Sequence, residues 1–157
     1  MTGAGGGAPA QSENMRINVG LIGVGRLGRV YARDLSSRIA QTRLVAVADT
    51  NEALARDVAA EFEVPRSYGE PAKLIEDSSV DAVVIVSPTH THRDLVVAAL
   101  KAKKPTFCEK PPALSLSECL AMANAEKETG TFFQMGFMRR FDPGYAAAKE
   151  QIALTTK

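Results

Sequence analysis

The chain has 157 residues, 45% hydrophobic and 24% charged, with a formal net charge of +1. That length and balance fit one soluble globular domain with a short tail. The basic residues form no stripe interleaved with aromatics, which excludes nucleic acid as a partner, and no apolar run approaches the ~20 residues of a membrane span.

The first stretch, "MTGAGGGAPAQSEN" (1–14), is rich in Gly, Ala, Pro and Ser. It lacks the basic start and apolar middle of a secretory signal and the Arg-rich amphipathic character of a transit peptide. It reads as a disordered tail, and the expected location is the cytoplasm. From Arg16 the texture changes. "RINVGLIG" is an apolar strand ending in glycine, and "RLGRVYARDLSSRI" sets Leu27, Val30, Tyr31, Leu35 and Ile39 at helical spacing. "RLVAVAD" is a second buried strand and "NEALARDVAAEF" a helix with an Asn-type start. "VPRSYGEP" holds a very short strand near Ser67, and "PAKLIEDS" a short helix. "DAVVIVSP" is the most apolar strand. "HRDLVVAALKAK" is a helix with Leu95, Val96, Ala99 and Leu100 on one face. "PTFCEK" is a strand. "SLSECLAMANAEKET" is a helix capped by Ser115 or Ser117. "GTFFQMGF" is the last strand, and "DPGYAAAKEQIAL" is a helix with Pro143 near its first turn. Strands and helices alternate, and the strands are continuous apolar runs. That pattern predicts an α/β fold of the Rossmann type, a doubly wound parallel sheet with helices on both faces.

"GVGRLG" supplies Gly23, Gly25 and Gly28 between a strand and a helix, and Asp49 closes the next strand about 20 residues past Gly28. Gly23 permits the tight turn, Gly25 lets a pyrophosphate approach the backbone, and Gly28 lets helix and strand pack closely. The first helical turn, with Arg26 and Leu27, presents N–H groups to the phosphates. Asp49 favours NAD over NADP, because a carboxylate accepts from ribose hydroxyls and repels a 2′-phosphate. Ligands of open α/β sheets sit at the strands' carboxyl ends. Three further loops leave such ends. "SPTHTH" brings Ser87, Pro88, Thr89 and His92 to the cofactor, "CEKPP" brings Glu109 and Lys110, and "GFMRRFDP" brings Arg139 and Arg140 to cofactor or substrate. Cys108 and Cys119 form neither a disulfide framework nor a metal motif, and both histidines lie in "THTH" away from any acidic cluster, so no metal site is expected.

"GVGRLG", "SPTHTH", "EKPPALS" and "GFMRRFDPGY", in that order, resemble the Gfo/Idh/MocA oxidoreductases, and the last looks most like inositol 2-dehydrogenase and its relatives. The resemblance covers Arg16 to Ile152. It implies a Rossmann domain that binds NAD(P), followed by an α+β domain that shapes the substrate site and makes oligomer contacts. It also implies hydride transfer between a cyclitol, sugar or polyol CH–OH carbon and nicotinamide, with Lys110 touching the reacting hydroxyl. On this reading 15–141 is the cofactor domain and 142–157 a connecting helix cut short before the substrate domain, which this sequence lacks. Such a chain is expected to keep a nucleotide pocket and to turn over poorly, with an exposed apolar face left for a second copy or a partner. The alternative is a stand-alone NAD(H)-binding module with a sensing or scaffold role.

Overall fold

The computed structural model describes residues 16–155, so the stretch read as a tail lies outside the described residues. The chain runs β1 (Ile17–Ile22), α1 (Arg26–Ser37), β2 (Thr42–Ala48), α2 (Glu52–Glu61), β3 (Arg66–Tyr68), α3 (Pro71–Glu76) and β4 (Ala82–Ile85). It continues through a 3-10 turn (Thr89–Thr91), α4 (His92–Lys101), β5 (Thr106–Glu109), α5 (Leu116–Thr129) and β6 (Phe133–Gly136). A second 3-10 turn (Met138–Phe141) then leads into α6 (Pro143–Thr155).

The six strands form one sheet in the order β3-β2-β1-β4-β5-β6, and every pairing is parallel. The order reverses between β1 and β4, which opens a crevice at their carboxyl ends. Side chains alternate across a strand, so neighbours in β1 serve opposite cores. Leu21 joins Val24, Ala32, Val47 and Val58 under α1 and α2. Ile22 joins Ile85, Leu74, Val96, Leu100 and Met122 on the other face. Burial on both faces is why the strands read as continuous apolar runs.

The helix starts follow local chemistry. Asn51 Oδ1 accepts from Leu54 N at 3.2 Å at the start of α2. Ser115, rather than Ser117, caps α5, accepting from Glu118 N at 3.3 Å. Gly130, at φ +63°, ends that helix in the left-handed conformation. The apolar spacing of α1 is only partly a core face. Gly28, Ala32 and Leu35 are buried. Leu27, Val30 and Ile39 stay 40–45% exposed. Ile39 also lies past the end of the helix. Together with Tyr31, Val84, Phe107 and Met138 these residues line an apolar groove of about 580 Å³ beside α1. None of the residues of α6 is buried.

Candidate dinucleotide site and lysine cleft

β1 delivers the chain to Gly23, whose φ of +88° strains any L side chain. A Cβ there would stand 2.6 Å from Ser87 N, so the glycine loop and the loop after β4 touch backbone to backbone. A Cβ on Gly28 would stand 2.0 Å from the Gly23 carbonyl oxygen, which shows how closely α1 packs on the turn. Around Gly25 nothing lies within 4 Å of such a Cβ. Gly25 is the N-cap of α1, and no side chain caps that end. The first-turn N–H groups and the positive end of the helix dipole are thus left for an anionic ligand.

Asp49 stands beside this turn. Its Oδ2 accepts from Val24 N at 3.0 Å and its Oδ1 from Asn51 N at 2.9 Å, so the carboxylate also holds the glycine loop in place. Gly23, Asp49, Thr50, Ser87, Pro88 and Thr91 are among the residues lining a cleft of about 250 Å³ at the β1/β4 crevice. Pro71 and His90 line it as well. Of the "SPTHTH" loop, Thr89 does not line the cleft, whereas His90 and Thr91, unremarked in the sequence, do. The Thr91 hydroxyl donates to Pro88 O at 2.8 Å. The Ser87 hydroxyl, 2.6 Å away, therefore donates to Thr91. Arg26 and Leu27 are exposed on the first turn of α1, and Leu27 belongs to the apolar groove rather than to the cleft.

At the end of β5 the Lys110–Pro111 peptide is cis. Lys110 is exposed. With Pro111, Pro112, Phe137, Arg139 and Arg140 it lines a second cleft, of about 620 Å³. The guanidinium of Arg139 lies 4.6 Å from the centre of the Tyr145 ring and donates to its hydroxyl.

Glu109 is buried, and its carboxylate is engaged within the protein. Oε1 accepts from Tyr31 OH at 2.6 Å and Oε2 from Lys110 N at 2.9 Å. Burial, then the hydrogen bond to Glu109 and its charge, push the Tyr31 phenol well above the usual tyrosine range. The Tyr31 ring also tilts against Phe107 with centroids 5.9 Å apart. Burial pushes the neighbouring Cys108 thiol up to about 12, with the Glu109 charge adding to it, which makes it an unreactive packed thiol.

His92 lies off the lining of both clefts. Its position at the start of α4 suggests a cofactor contact; the residue is buried, 1% exposed. Nδ1 lies 2.9 Å from Pro111 O and Nε2 2.9 Å from Ser87 O. Both polar atoms are used inside the protein, between two strand-end loops. The sequence held one cue to this: an apolar face begins just after His92, and the ring points in with it.

Gly23 and Asp49 line the first cleft, and beside it stand further features that a dinucleotide requires. An uncapped helix start lies next to a glycine with no atoms over its face, and a carboxylate is held at the end of β2. The second cleft places Lys110 on the same edge of the sheet, two strands along.

Residues 17–137 match a family model described as "Oxidoreductase family, NAD-binding Rossmann fold", GFO_IDH_MocA. Similar curated proteins include a scyllo-inositol 2-dehydrogenase (NAD(+)) of Bacillus subtilis (strain 168), 42% identical over 137 residues. That alignment covers 87% of this chain and 40% of the relative. An inositol 2-dehydrogenase of Acidothermus cellulolyticus is 44% identical over 137 residues, with the same two coverages. Among solved structures, the scyllo-inositol dehydrogenase of Lactobacillus casei with bound NAD(H) and scyllo-inositol superposes with a TM-score of 0.83 at 31% identity. It matches 88% of this chain and 41% of its own. The chain thus spans about two fifths of the length of the curated relatives it matches.

Proposed function

The chain belongs to the Gfo/Idh/MocA oxidoreductase family, and from that membership we propose that it binds NAD and serves the oxidation of a cyclitol or related polyol at a CH–OH carbon. The observation that carries this reading is the placement of Lys110. It lies at the carboxyl end of β5 on the edge that holds the glycine loop and Asp49, in a cleft large enough for a six-membered polyol. The inositol dehydrogenases among the relatives favour that substrate class.

Each residue has a distinct task. The start of α1 and Gly25 receive the diphosphate. Asp49 accepts from the adenosine ribose hydroxyls and disfavours a 2′-phosphate, which selects NAD over NADP. Bound NAD⁺ supplies the acceptor for the hydride leaving the carbinol carbon. The hydroxyl proton must pass to a base as the hydride departs, and Lys110 is the group that meets that hydroxyl. Arg139 and Arg140 line the same cleft and bind substrate or cofactor oxygens. Lys110 is exposed to water in this 157-residue polypeptide, so the chain on its own is expected to bind NAD and to turn over weakly.

Thermal unfolding in the presence of NAD and NADP tests the nucleotide reading. NAD at 100 times its Kd should add about 2.7 kcal/mol of stability, and NADP at the same concentration clearly less. Absence of stabilisation by either rules the reading out. Absorbance at 340 nm with NAD and scyllo- or myo-inositol tests the chemistry, and any rate must vanish in Lys110→Ala. A rate that survives this substitution removes Lys110 from the reaction.

A further inference from the structure

We propose that His92 is a positioning residue that couples occupancy of the dinucleotide cleft to the geometry of Lys110. The inference rests on the reading of that cleft as a nucleotide site. His92 opens α4 and is enclosed, with one ring nitrogen 2.9 Å from the carbonyl of Ser87 and the other 2.9 Å from that of Pro111. Ser87 lines the dinucleotide cleft, and its backbone packs against Gly23. Pro111 is bonded directly to Lys110 and lines the lysine cleft. One rigid ring therefore fixes the spacing between a carbonyl of the cofactor loop and a carbonyl of the lysine loop.

The enclosure of the ring between the two carbonyls, with at least one of them hydrogen-bonded to it, makes this a stiff link. A carbonyl oxygen only accepts, so each contact needs an N–H on the ring; a doubly protonated ring makes both bonds and a neutral ring one. Neither carbonyl can exchange its ring partner for bulk water without exposing a residue that is now enclosed. On its other side Lys110 is equally constrained. Its N–H donates to Glu109 Oε2, and Glu109 Oε1 is held by Tyr31. A displacement of the Ser87 loop by a ligand thus reaches Lys110 through His92, with little slack to absorb it.

Hydrogen-exchange mass spectrometry on the 157-residue chain, with ADP-ribose as ligand, tests this. ADP-ribose carries the adenosine, diphosphate and ribose of NAD without nicotinamide, so its direct contact with the Lys110 loop is limited to that ribose. The part of the protection that is lost in His92 variants, which keep Lys110, is the transmitted part. In the wild type it should slow exchange at 22–30 and 86–91 and also at 109–114. His92→Asn places a donor near the Nδ1 position and His92→Gln near the Nε2 position, so each can keep one of the two bonds. Both variants should bind ADP-ribose within about tenfold of wild type and protect 22–30, but lose most of the protection at 109–114. A purely structural role would lower stability without separating the two regions.

Failure of both ADP-ribose and NAD to bind the wild type overturns the nucleotide reading, and the coupling with it. Binding that protects 22–30 but leaves 109–114 unchanged in the wild type overturns the coupling alone. So does undiminished protection at 109–114 in both variants. If both variants fail to fold, the wild-type exchange pattern and the ring N–H resonances of His92 decide. Those resonances should shift on adding ADP-ribose, and unmoved resonances overturn the proposal.

Discussion

The Tyr31 hydroxyl donates to Glu109 Oε1 over 2.6 Å, tying the helix that leaves the glycine loop to the strand end that carries Lys110. The two residues are 78 positions apart in sequence. Both residues line the apolar groove beside α1. Glu109 sits in the interior with two donors for its carboxylate, and Tyr31 is one of them.

Tyr31→Phe keeps the ring against Phe107 and removes only the donor. The buried carboxylate loses a hydrogen bond, so the variant should be less stable by about 1–3 kcal/mol at neutral pH, as read by urea unfolding. The sign with pH follows from the raised phenol. An acid whose folded pKa lies above its unfolded value contributes stability that is full below about pH 10. That stability fades as the pH climbs through the folded value. The gap between wild type and Tyr31→Phe should therefore narrow in alkali. Among the three tyrosines, the substitution should also delete a late-ionising phenol from the ultraviolet titration. If the phenol that the substitution deletes is one titrating near pH 10, the bond is contradicted.

The glycine loop offers a paired test. At Gly28 a methyl group collides with backbone, 2.0 Å from the Gly23 oxygen, whereas at Gly25 it meets nothing. Gly28→Ala should lower stability by about 1–3 kcal/mol or more, because α1 must move off the turn. Gly25→Ala should cost well under about 1 kcal/mol, yet weaken NAD at least tenfold by covering the approach to the diphosphate. Denaturant melts and NAD titrations of the two variants separate the roles. Equal losses of stability would show that the loop is not built as described.

Acid sensitivity should concentrate at Asp77, between α3 and β4. Burial works to raise its carboxyl. Donation from Ser79 N at 2.9 Å, Ser79 OH at 2.7 Å and Tyr68 OH at 2.9 Å, with Arg66 nearby, outweighs burial and holds it below the usual range. A depressed acid contributes stability above its unfolded pKa of about 3.9 and loses it as pH falls through the folded value. Asp77→Asn should therefore be destabilised at pH 7, with the difference from wild type shrinking below about pH 4. Unfolding at pH 7, 4 and 2.5 checks it. A gap that stays constant into acid would exclude the carboxylate as its source.

The architecture was legible in the sequence because the sheet is buried on both faces. β1, β2 and β4 appear as unbroken apolar runs, and Gly23, Gly25 and Gly28 mark the turn between β1 and α1. The lysine loop could be located because a strand end followed by two prolines leaves few other shapes for the chain. Burial was harder to read. The spacing of Leu27, Val30 and Ile39 suggests a core face, but whether such a face is covered depends on distant elements that a local pattern does not encode. The partners of His92 and Tyr31 are hidden from a local pattern for the same reason. A polar atom of each finds its partner at long range: 19 residues from His92 to Pro111, and 78 from Tyr31 to Glu109. Pairing at that range follows from strand order, and strand order emerges only with the complete fold.

Asp49 combines two duties that one substitution can separate. Its oxygens accept from Val24 N and Asn51 N, so the carboxylate closes the glycine loop, and on the proposed function it also receives the ribose hydroxyls. Asp49→Ala removes both functions. It should weaken NAD by about tenfold or more, the scale of hydrogen bonds to a charged group, and loosen the loop even without ligand. Asp49→Asn can keep one backbone acceptor through its amide oxygen while losing the charge. It should preserve most of the ligand-free stability, weaken NAD less than alanine does, and narrow the preference over NADP because the repulsion of a 2′-phosphate is gone. Isothermal titration of both cofactors against wild type and the two variants provides the comparison. Unaltered NAD affinity in Asp49→Ala would leave the carboxylate as a loop fastener only and move the choice of cofactor elsewhere.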